Sequence, residues 1–175
     1  KQNIIDGTYP PLSDISEEAL QQELGVSRTP VHEALQRLSD EGFVHIYPRK
    51  GTIVTDVTLD TIYWVYEARE LNEPHLTRQA CGRLPGEWLR QMQREYQFRQ
   101  NNAIRPMTDE ERARFIQLDF ELHRTITAAC RNEFLRGLMQ RVGDHSHRLR
   151  IRTSRLNREY DCSIQEHLAI LEALL

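Results

Sequence analysis

Cysteine is scarce in this sequence, which excludes a disulfide-stabilised scaffold. The 175 residues contain three cysteines, Cys81, Cys130 and Cys162, and no CxxC pair. An odd number of widely spaced cysteines is typical of reduced thiols rather than of a disulfide framework. We therefore expect a protein of a reducing compartment, the cytoplasm.

A long apolar run is also missing. No stretch approaches the roughly 20 apolar residues of a membrane helix, and residues 1–8 resemble the end of a helix before a turn rather than a signal peptide. The 39% hydrophobic and 28% charged residues are ordinary for a globular protein. We predict no membrane partner.

Positive charge is not in excess, so the overall balance does not indicate a nucleic-acid partner. The net charge is −3, and residues 1–56 alone hold five Lys and Arg against nine Asp and Glu, a net charge of −4. A DNA-binding hypothesis must therefore rest on where the cations lie. In this segment they are concentrated in two places, Arg28 with Arg37 and Arg49 with Lys50.

The first 56 residues change pattern quickly, and the pattern is that of a winged helix-turn-helix. A capped helix at 16–24 and a tight turn precede a second helix at 27–40, and the runs 43–47 and 52–55 form a hairpin. The predicted inward positions are Ala19, Leu20 and Leu24 in the first helix and Val31, Ala34, Leu35 and Leu38 in the second.

After residue 56 the helical period dominates, so we predict two domains, 1–56 and 57–175. The predicted helices of the second domain are 58–82, 86–102, 108–130, 133–153 and 161–175. Leu175 lies within an apolar periodic run, and we expect the natural chain to extend beyond it. The predicted fold class is mainly α, a winged helix-turn-helix followed by an all-α helical bundle.

Polar residues line the outer side of the helix at 27–40. At about 100° per residue, its apolar face is centred on Val31. Short donors and acceptors near a helix N-terminus suit the major groove of DNA, and the helix dipole there favours phosphate. The residues that we predict to contact DNA on this helix are Ser27, Arg28, Thr29, His32 and Gln36.

Two further positions extend the predicted DNA contact. Arg37 lies farther along the same helix, where it suits a phosphate, and the hairpin tip Arg49-Lys50-Gly51 can enter the adjacent minor groove because glycine permits close backbone approach. The alternative is that all these polar side chains form the solvated face of an ordinary pair of helices.

Residues 25–38, followed by Glu41-Gly42-Phe43 and Pro48-Arg49-Lys50-Gly51, resemble the N-terminal signature of the GntR family in its FadR-like branch. The resemblance implies double-stranded operator DNA as partner, with Arg28 and Thr29 on the recognition helix and residues 49–51 in the wing. His32 departs from the pattern because the family usually has Arg there, and Glu18 stands where FadR has Arg. The operator sequence is therefore open, since a neutral His contributes less to phosphate or guanine contact than Arg.

The helical part contains polar residues within its apolar stripes, where an unpaired charge would be costly. Asp119 and His123 share one face of the helix at 108–130, and His167 lies inside the stripe of the helix at 161–175. A carboxylate and an imidazole one turn apart, with a second inward imidazole, match a divalent-metal site between helices. A buried Asp–His hydrogen bond together with a histidine satisfied in the core explains the same spacing.

Other polar residues of the helical part are assigned by their angular positions. The stripe of the helix at 58–82 contains Arg69 and Glu73, an i,i+4 pair. The apolar members of that stripe are Leu59, Ile62, Tyr66, Leu76 and Ala80. His145 and His147 point about 200° apart, so we predict that they share no ion and lie around the site or at the surface. His45 and His75 are predicted to lie at the surface.

The segments Asp119-Phe120-Glu121-Leu122-His123 and Glu166-His167-Leu168-Ala169-Ile170-Leu171, with Asn132, resemble the FadR C-terminal (FCD) domain. The metal-containing branch of that family uses an Asp, a His four residues on and two later His. The resemblance implies a divalent ion of the Zn, Ni or Mn type on Asp119, His123 and His167, with a fourth ligand after Leu175. Arg69 corresponds to an arginine of that domain's first helix, which implies a counter-charge for a carboxylate effector; an internal ion pair with Glu73 explains it equally.

These patterns predict a transcription regulator, a repressor or an activator, that binds a two-fold operator as a homodimer and is not an enzyme. A small carboxylate that completes the coordination of a metal would favour one packing arrangement of the helices over another. This shift would change the spacing of the two DNA-binding domains of the dimer. One alternative is a metal-dependent enzyme with an open coordination position, although GxSxG, phosphate-loop and HExxH motifs are absent. The other is a helical dimerisation module without a ligand.

Overall fold

A computed structural model of the chain describes residues 1–102, 107–153 and 160–175, and the side chains of residues 160–162, which include Cys162, lie outside that description. The elements are α1 Gln2–Ile5, β1 Asp14–Ile15, α2 Glu17–Leu24, α3 Arg28–Asp40, β2 Val44–Tyr47, β3 Gly51–Val54, α4 Leu59–Ala80, α5 Gly86–Asn101, α6 Asp109–Ala128, α7 Glu133–Thr153 and α8 Tyr160–Leu174. The mainly α class is confirmed. The chain divides into two compact units, Lys1–Ile62 and Tyr63–Leu175, so the division falls inside α4, a few residues after the boundary predicted from the sequence.

The first unit contains the predicted helix-turn-helix, and local sequence explains its boundaries. The Ser16 side chain accepts a hydrogen bond from the backbone N–H of Ala19, which caps α2. Gly25 ends that helix at φ 65°, a left-handed conformation that glycine adopts without strain. The turn then leads into α3 after Ser27.

The inward face predicted for α2 is wrong. Ala19 is exposed, Leu20 is only half-buried, and Leu24 is 61% exposed. The helix has eight residues and packs mainly on α3 within this unit, so a narrow strip of it is covered. On α3 the prediction is better, since Val31 and Leu35 are buried.

The wing is a three-stranded antiparallel sheet in the order β1-β3-β2. In the predicted hairpin Val44 pairs with Val54 and Tyr47 with Gly51. The strand β1 was not predicted, because two residues are too few for an alternating pattern to be recognised. The core of this unit consists of Ile4, Ile5, Ile15, Val31, Leu35, Phe43, Val44 and Val54.

The second unit is helical throughout its described residues, as predicted. A capping box fixes the start of α6, because Thr108 and Glu111 each accept from the other's backbone N–H. Helix α5 packs on α8, and α6 packs on α7. The buried core members are Leu76, Ala80, Leu89, Met92, Tyr96, Phe115, Leu122, Ile126, Cys130, Met139, Ile164, Leu171 and Leu174.

The stripe predicted for α4 is buried only toward its C-terminal end. Leu76 and Ala80 are fully buried, whereas Leu59 is 83% exposed and Tyr66 is 44% exposed. The apolar period of a helix shows which residues share a face, but it does not show whether the partner of that face lies in the same chain. The N-terminal half of α4 therefore presents apolar side chains to solvent.

Candidate nucleic-acid interface and metal centre

The outer edge of α3 is open to solvent from its N-terminus to Arg37. The predicted contact residues Ser27, Arg28, Thr29, His32, Gln36 and Arg37 are all exposed. The opposite side of the helix is held in the core by Val31 and Leu35. Ser27 occupies the N-cap position without a side-chain capping hydrogen bond, and Gln36 donates to Asp40 at 3.3 Å. The arrangement leaves a polar edge that can enter a groove.

Glu17, at the start of α2, holds two of these side chains and was not identified from the sequence. One carboxylate oxygen lies 3.4 Å from Arg28 Nε, and the other lies 3.1 Å from His32 Nδ1. The hydrogen bond from His32 lowers the pKa of Glu17, so the carboxylate stays ionised. The sequence does contain a signal for this contact: Glu17 is an acidic residue in the first turn of α2, the helix that precedes α3.

The turn between β2 and β3 carries the predicted wing residues Arg49, Lys50 and Gly51, all exposed. Arg49 and Gly51 have φ values of 65° and 106°. The conformation at Gly51 is one that side-chain-bearing residues rarely adopt, which explains glycine there. The tip thus presents two cations on a tight turn.

In the second unit the structure brings together the three predicted metal ligands. One side-chain donor atom from each of Asp119, His123 and His167 lies within 4.8 Å of the others. The two histidine Nε2 atoms are 3.1 Å apart, and Asp119 Oδ1 lies 3.1 Å from His167 Nε2 and 3.7 Å from His123 Nε2. Helix α6 supplies two of the side chains and α8 the third.

The Nδ1 atoms of His123 and His167 face oxygen acceptors, and these contacts determine which ring nitrogen carries a lone pair. His167 Nδ1 lies 2.5 Å from the Ser163 carbonyl oxygen, and His123 Nδ1 lies 3.4 Å from Glu73 Oε1. If each Nδ1 carries the proton, each neutral ring directs the Nε2 lone pair at the other and at Asp119. Asp119 Oδ1 is buried, and the Arg150 guanidinium lies 3.0 Å away, but among the described residues no contact to this oxygen has the geometry of a hydrogen bond. Three converging acceptor atoms fit a divalent cation.

The electrostatics of the cluster favour the ligating protonation states. Burial opposes ionisation of Asp119, but contact with His167 and the charge of Arg150 outweigh burial and hold the pKa of Asp119 well below its usual range. Burial lowers the pKa of His123 to about 4, despite the nearby carboxylates of Asp119 and Glu73. Metal binding requires an ionised carboxylate and neutral imidazoles, and the pKa shifts of Asp119 and His123 are in the directions that favour these states.

Arg69 is buried beside this cluster. Its guanidinium donates to Glu73 at 2.7 Å, to Ser146 Oγ at 2.8 Å and to His123 Nε2 at 3.2 Å. Burial opposes its charge, but Glu73 outweighs burial and raises the pKa of Arg69. The internal ion pair with Glu73 is therefore present, and the same side chain also reaches a candidate metal ligand.

Two more residues, Arg150 and Tyr96, lie next to the cluster and were not predicted from the sequence. Arg150 Nη1 lies 3.0 Å from Asp119 Oδ1. The ring of Tyr96 stacks on His167 with centroids 5.1 Å apart, and its hydroxyl is buried without a partner among the described residues. Burial also raises the pKa of Tyr96, so the hydroxyl keeps its proton and can donate. Both residues come from helices that no local pattern links to Asp119.

The remaining histidines are distributed as follows. His147 is buried and stacks on Phe120 with centroids 4.2 Å apart, so it is not a surface residue, and burial lowers its pKa. His145 is half-buried. His45 and His75 are exposed, as expected. Within the described residues, the metal-type cluster contains neither His145 nor His147.

Two family models match the chain. The one described as bacterial regulatory proteins, gntR family, matches residues 1–54, and the one described as FCD domain matches residues 64–175. The second match alone covers more than half of the chain. The two matches coincide with the helix-turn-helix unit and the helical unit.

Curated relatives are transcription regulators. The chain is 26% identical over 172 residues to the HTH-type transcriptional regulator YdhC of Bacillus subtilis, covering 98% of this chain and 75% of that protein. It is 30% identical over 142 residues to the Nta operon transcriptional regulator of Aminobacter aminovorans, covering 81% and 64%. It is 23% identical over 127 residues to the HTH-type transcriptional repressor RspR of Escherichia coli, covering 73% and 54%. The chain therefore spans less than two thirds of two of these relatives.

Two solved structures share the fold. McbR/YncC of E. coli has a TM-score of 0.73 at 20% identity, covering 98% of this chain and 81% of that one. A GntR transcriptional regulator from Rhodococcus sp. RHA1 has a TM-score of 0.69 at 21% identity, covering 99% of this chain and 84% of that one.

Among the described residues, none of the helices has the length and apolar character needed to cross a membrane.

Proposed function

Because this chain belongs to the gntR family of bacterial regulatory proteins with an FCD domain, and is a DNA-binding transcription regulator of that type, we propose that a small carboxylate effector controls its affinity for operator DNA. In this proposal residues 1–56 bind DNA, and residues 57–175 bind the effector and form the dimer. The observation that carries the effector proposal is the buried cluster of Asp119, His123 and His167 with Arg69 in contact.

For DNA binding, we assign Arg28, Thr29 and His32 to the major groove because they form the exposed edge at the N-terminus of α3. Arg37 is assigned to a phosphate, and Arg49 and Lys50 at the wing tip to the adjacent minor groove. Ser27, Gln36 and Gly51 complete the predicted contact set. Two such heads are needed for a two-fold operator, which is why we infer a homodimer.

For sensing, Asp119, His123 and His167 would hold a divalent ion of the Zn, Ni or Mn type, because a carboxylate and two imidazoles suit these metals. When bound, such an ion supplies Lewis-acid attraction for a carboxylate oxygen. Arg69 Nη2 lies 3.2 Å from the His123 nitrogen that would ligate the ion. Because that nitrogen has one lone pair, a bound ion would replace this hydrogen bond and leave the Arg69 N–H free for an anion at the cluster. The Tyr96 hydroxyl, buried without a partner among the described residues, offers a further donor.

The charge of the cluster supports an anionic effector. Asp119 and Glu73 carry negative charges that Arg69 and Arg150 already balance in contacts of 2.7 to 3.0 Å. A divalent ion would therefore leave the buried cluster with two excess positive charges, which is unfavourable in a low-dielectric interior. A carboxylate that binds with the ion removes part of that excess.

The effector proposal is tested with Arg69→Gln in the metal-loaded protein. Acetate, lactate, succinate and citrate serve as carboxylate probes, and fluorescence anisotropy of a labelled duplex gives the DNA affinity. We expect at least one probe to change the wild-type affinity, and Arg69→Gln to require about tenfold or more of that probe for the same change, since a charge-assisted pair contributes roughly 1.5 to 3 kcal/mol. Without a probe the variant should bind DNA like the wild type.

Arg78→Gln is the matched control, because Arg78 is exposed on the same helix α4. It should respond to the probes like the wild type. The counter-charge role of Arg69 is wrong if both variants respond equally, and effector control by carboxylates of these sizes is wrong if no probe changes the wild-type affinity.

The exposed apolar residues of α4 support the homodimer. Trp64 and Leu71 lie two turns apart on one face, and Trp64 is 62% exposed. Contiguous exposed apolar side chains on a helix are typical of an interface. The exposed set on this helix is Leu59, Tyr63, Trp64, Tyr66 and Leu71.

We expect Trp64→Glu to weaken self-association by about tenfold or more, because a buried, unpaired carboxylate costs several times RT. Sedimentation equilibrium measures this. Phe134→Glu, which changes an exposed aromatic on α7, is the control and should leave the association constant unchanged. A wild-type monomer at micromolar concentrations, or a Trp64→Glu dimer as tight as wild type, would contradict this interface.

A further inference from the structure

The contacts of Glu17 with α3 determine which nitrogen of His32 can accept a hydrogen bond from a DNA base. Glu17 contacts Arg28 through one oxygen and His32 through the other. An ionised carboxylate can only accept hydrogen bonds, so the His32 nitrogen that faces it, Nδ1, must be the donor. In the neutral ring the proton therefore lies on Nδ1, and Nε2 is left as an acceptor.

We propose that Glu17 fixes His32 so that its Nε2 offers an acceptor to the major groove, and that the base contacted by His32 carries an amino group there, adenine or cytosine. The inference rests on the proposed role of α3 in DNA contact. It adds a positioning residue, Glu17, and a class of base for one position of each operator half-site.

The donor and acceptor pattern of the major groove explains the selection. Adenine presents its N6 amino group and cytosine its N4 amino group, whereas guanine presents only the acceptors N7 and O6. An acceptor nitrogen on His32 pairs with the first two bases and faces lone pairs on the third. An arginine at this position would favour guanine, because all its nitrogens donate.

The geometry leaves the relevant atoms accessible. The side chain of His32 is 53% exposed and that of Arg28 is 79% exposed, while Glu17 is 23% exposed behind them. Glu17 binds Arg28 through Nε. This contact therefore does not use the two terminal nitrogens of the guanidinium, which are the ones that bind a guanine or a phosphate.

The experiment is selection of binding sites from randomised duplexes by the full chain, compared among the wild type, His32→Arg and Glu17→Gln. The wild type should enrich adenine or cytosine at one position of each half-site, by on the order of tenfold over guanine. His32→Arg should change that position, and only that position, to guanine. Glu17→Gln should flatten the preference there, because an amide can donate as well as accept and no longer fixes the ring proton.

Glu23→Gln is the matched control, since Glu23 is another exposed carboxylate on α2, and it should select the wild-type sequence. The inference is overturned if His32→Arg selects the wild-type base, or if Glu17→Gln retains the full preference. These failures are distinguishable from failure of the proposed function: in the former a sequence is still selected and Arg28→Ala still weakens its binding, whereas in the latter the wild type selects no sequence at all.

Discussion

Replacing Arg28 with alanine is expected to weaken operator binding by about 10- to 100-fold, because a bidentate base contact contributes roughly 1 to 3 kcal/mol. Arg28 lies at the N-terminus of α3, the end that enters the major groove in helix-turn-helix proteins. Its side chain is 79% exposed, so the substitution removes a contact with DNA without opening the core. Fluorescence anisotropy with a duplex chosen by in vitro selection gives the affinity.

Arg90→Ala is the control for the loss of one positive charge, because Arg90 is exposed on α5 in the helical unit. It should change the affinity by less than about twofold at 0.15 M salt, where charges farther than roughly 8 Å are screened. If the two substitutions weaken binding equally, Arg28 contributes only its positive charge, and the specific base contact is wrong.

Replacing His123 with alanine is expected to remove the metal. The wild type, loaded with Zn²⁺, Ni²⁺ or Mn²⁺ and dialysed, should retain about one ion per chain with the metal it prefers. Loss of a residue that only supports a ligand costs about 10- to 100-fold in metal affinity, and loss of a ligand should exceed that. Elemental analysis of the two proteins checks the content, and thermal unfolding checks whether the ion stabilises the wild type alone.

His75→Ala is the matched control, since His75 is an exposed histidine on α4 away from the cluster. It should retain the wild-type metal content. If the wild type holds none of the three metals after loading, and its thermal unfolding is the same with and without them, the buried cluster is a metal-free hydrogen-bonded core and the alternative of a dimerisation module without a ligand gains support.

Periodic and capping signals were sufficient to predict most elements. The helices predicted at 86–102 and 133–153 match α5 and α7 to within a residue, because helix periods extend over many turns and Pro85 and Gly86 mark a break. The strand β1 and the exposed face of α4 were missed. The strand β1 is too short to show an alternating pattern. Whether the face of α4 is covered depends on the surface that packs against it, and the sequence of the helix does not contain that information.

The candidate sites divide in the same way. Asp119 and His167 were identified as polar residues inside apolar stripes and His123 at the edge of one, the resemblance to the FCD domain favoured a metal site, and the structure brings the three together. Glu17 and Arg150 were missed because each contacts a residue on another helix. Glu17 lies 11 positions before Arg28, and Arg150 lies 31 positions after Asp119. Packing determines such pairs, and one sequence without structure does not reveal them.

The most direct test of the DNA contact is methylation interference on the selected duplex. Dimethyl sulfate modifies guanine at N7 in the major groove and adenine at N3 in the minor groove. We predict that N7 methylation of one guanine in each half-site blocks wild-type binding and has no further effect on Arg28→Ala. Interference confined to minor-groove adenines, or identical patterns for both proteins, would contradict the assignment of α3 to the major groove.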